Sequence, residues 1–314
     1  MFTTNSTFSN TARMHSVDKD NTKSLSNGSR VCTSLVAGAI AGALAKTAIA
    51  PLDRTKINFQ IHNQAFSYKE AYLFIVRSYK QFGFTSLWRG NSATMARVIP
   101  FAALQYMSHE QFKRLLHVET NAQKKAKPLR SFVAGSLAGV TATSATYPLD
   151  LARARMAVYH KEVYNNIFEV FMKTARDEGI RALYRGYLPT IMGVIPYAGT
   201  SFFTYETLKV FHNEFYGVVE PHPLERMLFG AIAGALGQIT AYPLDIVRRR
   251  MQTRPGYTAV IPTLKRVVNQ EGVRGLFKGI SMNWVKGPIA VGISFTTFDL
   301  VSKFLRNLEF FTCG

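Results

Sequence analysis

Six long runs with almost no charge alternate with polar, basic stretches along the chain. Val31 to Leu52 is apolar or small except for Lys46, and Asn91 to Met107 is interrupted only by Arg97. Ser131 to Leu149, Tyr187 to Tyr205 and Met227 to Leu244 carry no charge, and the run after Gly279 carries only Lys286. At about 1.5 Å per residue, helices over such runs are long enough to cross a hydrocarbon core roughly 30 Å thick. The pattern predicts an all-α membrane protein with six transmembrane helices. Three intervening segments, at residues 68–82, 165–178 and 257–271, have apolar positions at helical spacing and predict short amphipathic helices lying at the interface.

The same pattern repeats three times. Ala50-Pro51-Leu52-Asp53, Tyr147-Pro148-Leu149-Asp150 and Tyr242-Pro243-Leu244-Asp245 each close an odd-numbered run, with a base three residues after the acid: Lys56, Arg153 and Arg248. Each proline is expected to end its span. The repeats are placed at residues 31–120, 128–216 and 224–308, behind a Ser-, Thr- and Asn-rich segment at 1–30 that reads as a disordered tail. Small residues also recur in register, as Gly38/Gly42, Gly135/Gly139 and Gly230/Gly234, a spacing that lets membrane helices approach closely.

Composition adds a partner to this picture. Only 18% of the 314 residues are charged, yet the formal net charge is +19, which suggests a membrane protein with an anionic partner. Six spans place both termini on one side, and the three long loops hold 21 Lys/Arg against 8 in the two short connectors. The positive-inside tendency puts the long loops on the inner face. The tail has neither the apolar core of a secretory signal nor the acid-poor, Arg-rich character of a cleaved presequence. Cys32 and Cys313 provide no metal spacing, no histidines pair at i,i+4, and no nucleophile elbow occurs, so neither metal, cofactor nor enzyme chemistry is expected. A soluble nucleic-acid binder would not contain six spans.

Two readings fit the charged motif. The pairs Asp53/Lys56, Asp150/Arg153 and Asp245/Arg248 can be ordinary i,i+3 contacts, or each acid can meet the base of a neighbouring repeat and close a three-bridge gate at the inner mouth. Arg97 and Lys286 each lie seven residues after the glycine of an aromatic-basic-Gly triplet, near mid-membrane, where the second repeat has Gly193. Lys46 lies at a similar depth. Intramembrane cations are costly, by about 2.5–3.5 kcal/mol on insertion scales, and mark a functional cavity by default. Arg97, Lys286, Lys46 and Arg249 suit phosphates, while Gly193, Val194 and Tyr197 suit a flat apolar ring, so a nucleotide-like ligand would use both sets.

Over residues 31–308 these motifs resemble the mitochondrial carrier family. The resemblance implies a six-helix barrel with three-fold pseudo-symmetry, a central site opening alternately to cytosol and matrix, and termini in the intermembrane space of the inner mitochondrial membrane. It makes Asp53, Lys56, Asp150, Arg153, Asp245 and Arg248 the matrix gate, with Gln60 and Gln252 as braces and Ala157 in the remaining brace position. It places a cytoplasmic gate at Glu110, Lys113, Glu206, Lys209 and Asp299, where Ser302 stands in place of a base. It implies links of Arg155 to Glu178 and Arg250 to Glu271, which Asn58 and Phe82 cannot form in the first repeat. It further assigns Arg89, Gly90, Arg185, Gly186, Lys278 and Gly279 to cardiolipin phosphates at helix N-termini. Residues 88–97 and 282–290 are most similar to carriers of coenzyme A. They imply import of coenzyme A against adenine nucleotides such as ADP or adenosine 3',5'-diphosphate, by a protein acting as a monomer. The alternatives are a carrier of ATP, ADP or another phosphorylated metabolite, and a membrane scaffold without turnover.

Overall fold

A computed structural model describes residues 27–62, 66–118, 128–159, 163–217 and 221–307. The polar segment expected to be disordered lies outside these residues up to position 26, and helix begins at Asn27, four residues before the apolar run. The helices are α1 (Asn27–Ile61), α2 (Tyr68–Phe82), α3 (Asn91–Leu115), α4 (Pro128–Val158), α5 (Ile167–Asp177), α6 (Tyr187–Tyr216), α7 (Pro223–Thr253), α8 (Val260–Glu271) and α9 (Ile280–Asn307). Short 3-10 segments, Phe84–Trp88, Ile180–Tyr184 and Val273–Phe277, precede α3, α6 and α9. The three amphipathic segments are thus helical, and α2 has the bounds that its periodicity gives.

Residues Val36–Ile61, Pro223–Thr253 and Val273–Leu305 are, among the described residues, long and apolar enough to cross a membrane by length and composition. Helices α3, α4 and α6 run 25, 31 and 30 residues.

The motif prolines do not end the odd helices. Helix α1 continues from Pro51 to Ile61, α4 from Pro148 to Val158 and α7 from Pro243 to Thr253, the same extension each time. Proline removes one backbone donor, but the residues after it can still bond the carbonyls before them. This extension carries the acid, the base and the brace position on one continuous helix.

The chain divides into two compact units. Residues 1–44 and 293–314 form one, whose described part is the start of α1 and the end of α9. Residues 45–292 form the other, in which α3 packs along α4 and α6 along α7. Its core lies around the C-terminal ends of the odd helices. Ala152 and Met156 pack with Val170 of α5, and Tyr242 and Ile246 pack with Val267 of α8. The apolar stripe of each amphipathic helix supplies the covering face. By contrast Ile99, Phe202, Phe203 and Ile195 are exposed, an apolar surface of the kind that marks membrane or partner contact.

The paired glycines do not create close contacts in this unit. A Cβ at Gly139, Gly230 or Gly234 would meet nothing within 4 Å, and one at Gly135 would only reach His109 at 4.0 Å. The tight approach is one turn further along α7, where a Cβ on Gly237 would collide with Ser201 and lie 2.8 Å from the Tyr197 carbonyl of α6. Spacing identified the small-residue helices but placed the contact a turn too early.

Candidate functional site

The three motif acids meet bases of neighbouring repeats. Lys56 Nζ lies 3.2 Å from Asp245 Oδ2, Arg153 Nη2 2.5 Å from Asp53 Oδ2, and Arg248 Nη2 2.5 Å from Asp150 Oδ2. Extension of the helix past each proline lets acid and base reach neighbouring repeats from the same stretch, and the cyclic arrangement joins α1 to α7, α4 to α1 and α7 to α4. The i,i+3 reading of these pairs is thereby excluded in favour of the ring. Asp53, Lys56 and Asp150 are buried. A buried pair is strongly destabilised when one partner is removed, because the remaining charge is left uncompensated.

Glutamines complete two of the three bridges. Gln60 donates to Asp245 Oδ2 at 3.0 Å and to the Tyr242 hydroxyl at 3.2 Å. Gln252 does the same with Asp150 Oδ2 at 2.9 Å and Tyr147 at 3.0 Å. Each tyrosine hydroxyl in turn donates to a carbonyl, Tyr147 to Arg185 at 2.8 Å and Tyr242 to Lys278 at 2.6 Å. The tyrosine of the Tyr-Pro-Leu-Asp motif therefore ties the brace to the aromatic-basic-Gly triplet. Sequence reading missed this role, although the signal was present: tyrosine precedes proline only in the two repeats whose bridges have a glutamine.

Glycine is required where those triplets cross the odd helices. Gly186 has φ +81°, and a Cβ there would come within 2.9 Å of both the Arg248 carbonyl and the Tyr147 hydroxyl. Gly90, at φ +87°, sits equally close to the Arg153 carbonyl. Beside them, Arg155 Nη1 meets Glu178 at 2.5 Å and Arg250 Nη2 meets Glu271 at 2.6 Å, the links implied by the resemblance. Arg185 and Lys278 also pair with those same carboxylates. Among the described residues Arg89 has no such acid, and it donates to the carbonyls of Met156, Tyr159 and Tyr164. The hydrogen bond from Arg155, with Arg185 nearby, holds the Glu178 carboxyl below the ordinary glutamate range.

Of the cations assigned to substrate, three pair with the motif acids. Lys286 Nζ contacts Asp53 Oδ1 at 2.7 Å, and Arg97 Nη1 contacts Asp150 Oδ1 at 3.2 Å. Arg249 donates to Gln252 Oε1 at 2.9 Å and lies 3.7 Å from Asp150. Lys46 has no ion pair among the described residues and lines a void of about 10 Å³ with Asp53 and Arg153.

Gly193, Val194 and Tyr197 line a cavity of about 380 Å³. Gln238, Ala241 and Tyr242 of α7 also line it, and Lys56, Arg248 and Arg249 bring positive charge to the same cavity. The structure thus combines the apolar bay with Arg249 and with two of the motif bases. Arg97, Lys286 and Lys46 do not line this cavity.

The residues assigned to a cytoplasmic gate are not joined across helices in the larger unit. Glu110 pairs with Lys113 on its own helix, and Glu206 and Lys209 have no ion pair among the described residues. Asp299 belongs to the smaller unit.

Comparison with known proteins agrees with this three-fold construction. The family model described as mitochondrial carrier protein matches residues 27–120, 124–215 and 219–309. The chain is 59% identical over 286 residues to the mitochondrial coenzyme A transporter of Homo sapiens, covering 89% of this chain and 90% of that protein. Identity to the coenzyme A transporter of Danio rerio is 59% over 288 residues, covering 90% of each. A mitochondrial adenine nucleotide transporter of Arabidopsis thaliana is 36% identical over 312 residues, covering 89% of this chain and 88% of that protein. Three matched repeats, extensive identity and a cyclic network built from the repeated motif make this chain a member of the mitochondrial carrier family, resident in a mitochondrial membrane.

Proposed function

We propose that the protein is an antiporter of the inner mitochondrial membrane that imports coenzyme A in exchange for adenine nucleotides, including ADP and adenosine 3',5'-diphosphate. The observation that carries this reading is the cavity in which Gly193, Val194 and Tyr197 share space with Lys56, Arg248 and Arg249. An adenine ring needs a flat apolar bay, and its phosphates need fixed cations. Relatives named as coenzyme A and adenine nucleotide transporters support the same choice.

In this reading six helices form a three-fold pseudo-symmetric barrel with both termini toward the intermembrane space. The bridges and braces hold the matrix side shut, while among the described residues Glu206 and Lys209 have no ion pair, as suits a site open to the cytosol. Anionic phosphates compete with Asp53 and Asp150 for Lys286 and Arg97. Loss of those partners weakens the neutralisation of the gate acids, so binding favours opening to the matrix. A ligand shifts such an equilibrium only through its differential affinity for the two states, and the shared cations supply that difference. Lys46, adjacent to Asp53 and Arg153, joins the phosphate-binding set as those bridges open.

Cardiolipin phosphates bind at the starts of α3, α6 and α9, where Gly90, Gly186 and Gly279 precede the first helical turn. Backbone N–H groups and the helix dipole provide that attraction. Because Arg185 and Lys278 also serve glutamates, they contribute shared charge instead of dedicated lipid contacts. The protein acts as a monomer, with one translocation path through its three repeats.

The test is uptake into liposomes preloaded with coenzyme A, ADP, adenosine 3',5'-diphosphate or phosphate. Coenzyme A uptake that requires an internal adenine nucleotide supports the proposal. Exchange confined to ATP and ADP supports the second reading, which the adenine nucleotide relative favours. No exchange by correctly inserted protein would leave the scaffold reading.

A further inference from the structure

Gln238 lines the cavity and has no task in the bridges or their braces. Gln238 belongs to a stripe of α7 that continues through Ala241, Tyr242 and Asp245 to Arg249, all lining the same space. Their i, i+3, i+4, i+7 spacing puts them on one helix face. At about 1.5 Å per residue, Gln238 and Arg249 are separated by roughly 16 Å along the axis. The stripe therefore begins with an amide beside Gly193, Val194 and Tyr197 and ends among cations.

Most of the neighbouring polar groups are already engaged. Thr190 donates to the Gly186 carbonyl, Tyr242 donates to Lys278, and Lys56, Asp245 and Arg248 are held in the ion-pair network. Among the described residues the Gln238 amide makes no hydrogen bond, and it is partly exposed to the cavity. A primary amide presents a donor and an acceptor side by side in one plane. Adenine presents the complementary pair on its N6/N7 edge, and glutamine recognises that edge in a bidentate manner.

We infer that Gln238 is the residue that reads the base: its carbonyl oxygen accepts from adenine N6–H, and its NH2 group donates to N7. Gly193 leaves room for the ring, Val194 and Tyr197 contact it, and the cations further along α7 receive the phosphate end. Gln238 is a specificity-determining contact in this arrangement and has no part in the matrix gate. The inference rests on the cavity being the base-binding part of the proposed transport site.

Competition by ADP and 7-deaza-ADP, which lacks the N7 acceptor, tests it directly in proteoliposomes. Native protein is expected to prefer ADP by about fivefold, the value of one hydrogen bond. Gln238→Met keeps the side-chain volume and should bring the ratio to about one. Gln238→Glu, which replaces the donor by an acceptor, should reverse the preference toward 7-deaza-ADP. These two variants allow the test to proceed if either fails to insert. Retention of the native ratio in an inserted variant overturns the inference. Gly193→Leu separates that failure from failure of the site reading: it should block nucleotide exchange by filling the bay. Blocked exchange in Gly193→Leu with an unchanged ratio in the Gln238 variants removes only the role of Gln238. Normal exchange in inserted Gly193→Leu protein removes the base bay, and the inference with it.

Discussion

Ala50 and Ala157 line the same small void beside Asp53, at the place where the other repeats pair a tyrosine with a glutamine. Both halves of that hydrogen-bonded unit are missing together. The Asp53–Arg153 bridge has Lys286 on its second carboxylate oxygen instead. Asp150 also carries a second cation, Arg97, but keeps its glutamine, so the Asp53 bridge is the one of the three that rests on a second cation without a brace.

Loss of a glutamine brace should be felt in the stability of its bridge. Gln252→Ala removes donors to both Asp150 and Tyr147 and leaves these buried groups less satisfied. A cost of roughly 1–3 kcal/mol is expected, seen as a fall of several degrees in the thermal midpoint of detergent-solubilised protein. An unchanged midpoint would show that the glutamine contributes no net stability to the bridge.

The bridging cations should matter more for exchange than for folding. Arg97→Ala leaves Asp150 paired with Arg248, and Lys286→Ala leaves Asp53 paired with Arg153. Removing a charge from a ligand phosphate costs roughly 2–5 kcal/mol, so exchange should fall thirtyfold or more in each variant. Initial uptake rates in proteoliposomes measure this, and native rates in both variants would remove these residues from the substrate path.

Backbone geometry gives a sharper contrast between glycines. Gly186→Ala must place a Cβ against the Arg248 carbonyl while retaining φ +81°, whereas Gly234→Ala meets open space. The first substitution should cost about 2 kcal/mol or more through strain and collision, and the second should remain within about 0.5 kcal/mol of neutral. Side-by-side thermal unfolding checks the difference. Equal midpoints would contradict the tight crossing of the triplet over α7.

Acid sensitivity is expected at Glu178. Its carboxyl is held below its ordinary value of 4.5 by Arg155 and Arg185, so the folded state binds the proton less readily than the unfolded chain. This stability is present above pH 4.5 and is lost as pH falls through the lower folded value. Glu178→Gln should therefore flatten the fall of the thermal midpoint below pH 4.5. A slope equal to that of native protein would exclude Glu178 as a contributor.

Hydrophobic runs, three proline motifs and amphipathic periodicity determine much of this protein locally. They place the long helices, the short helices and the acid-base positions because span length, helical spacing and repetition are properties of neighbouring residues. Arg97 and Lys286, and the replacement at Gly193, are equally visible because charge is conspicuous in an apolar run. Tertiary structure alone decides which base meets which acid, since local and cross-repeat pairing use the same residues. It also carries α1, α4 and α7 past their prolines, moves the close helix contact to Gly237, and sets Lys286 and Arg97 on motif acids. Gln238 becomes informative only when α6 and α7 enclose one cavity, because an isolated glutamine has no local pattern that reveals what its amide faces.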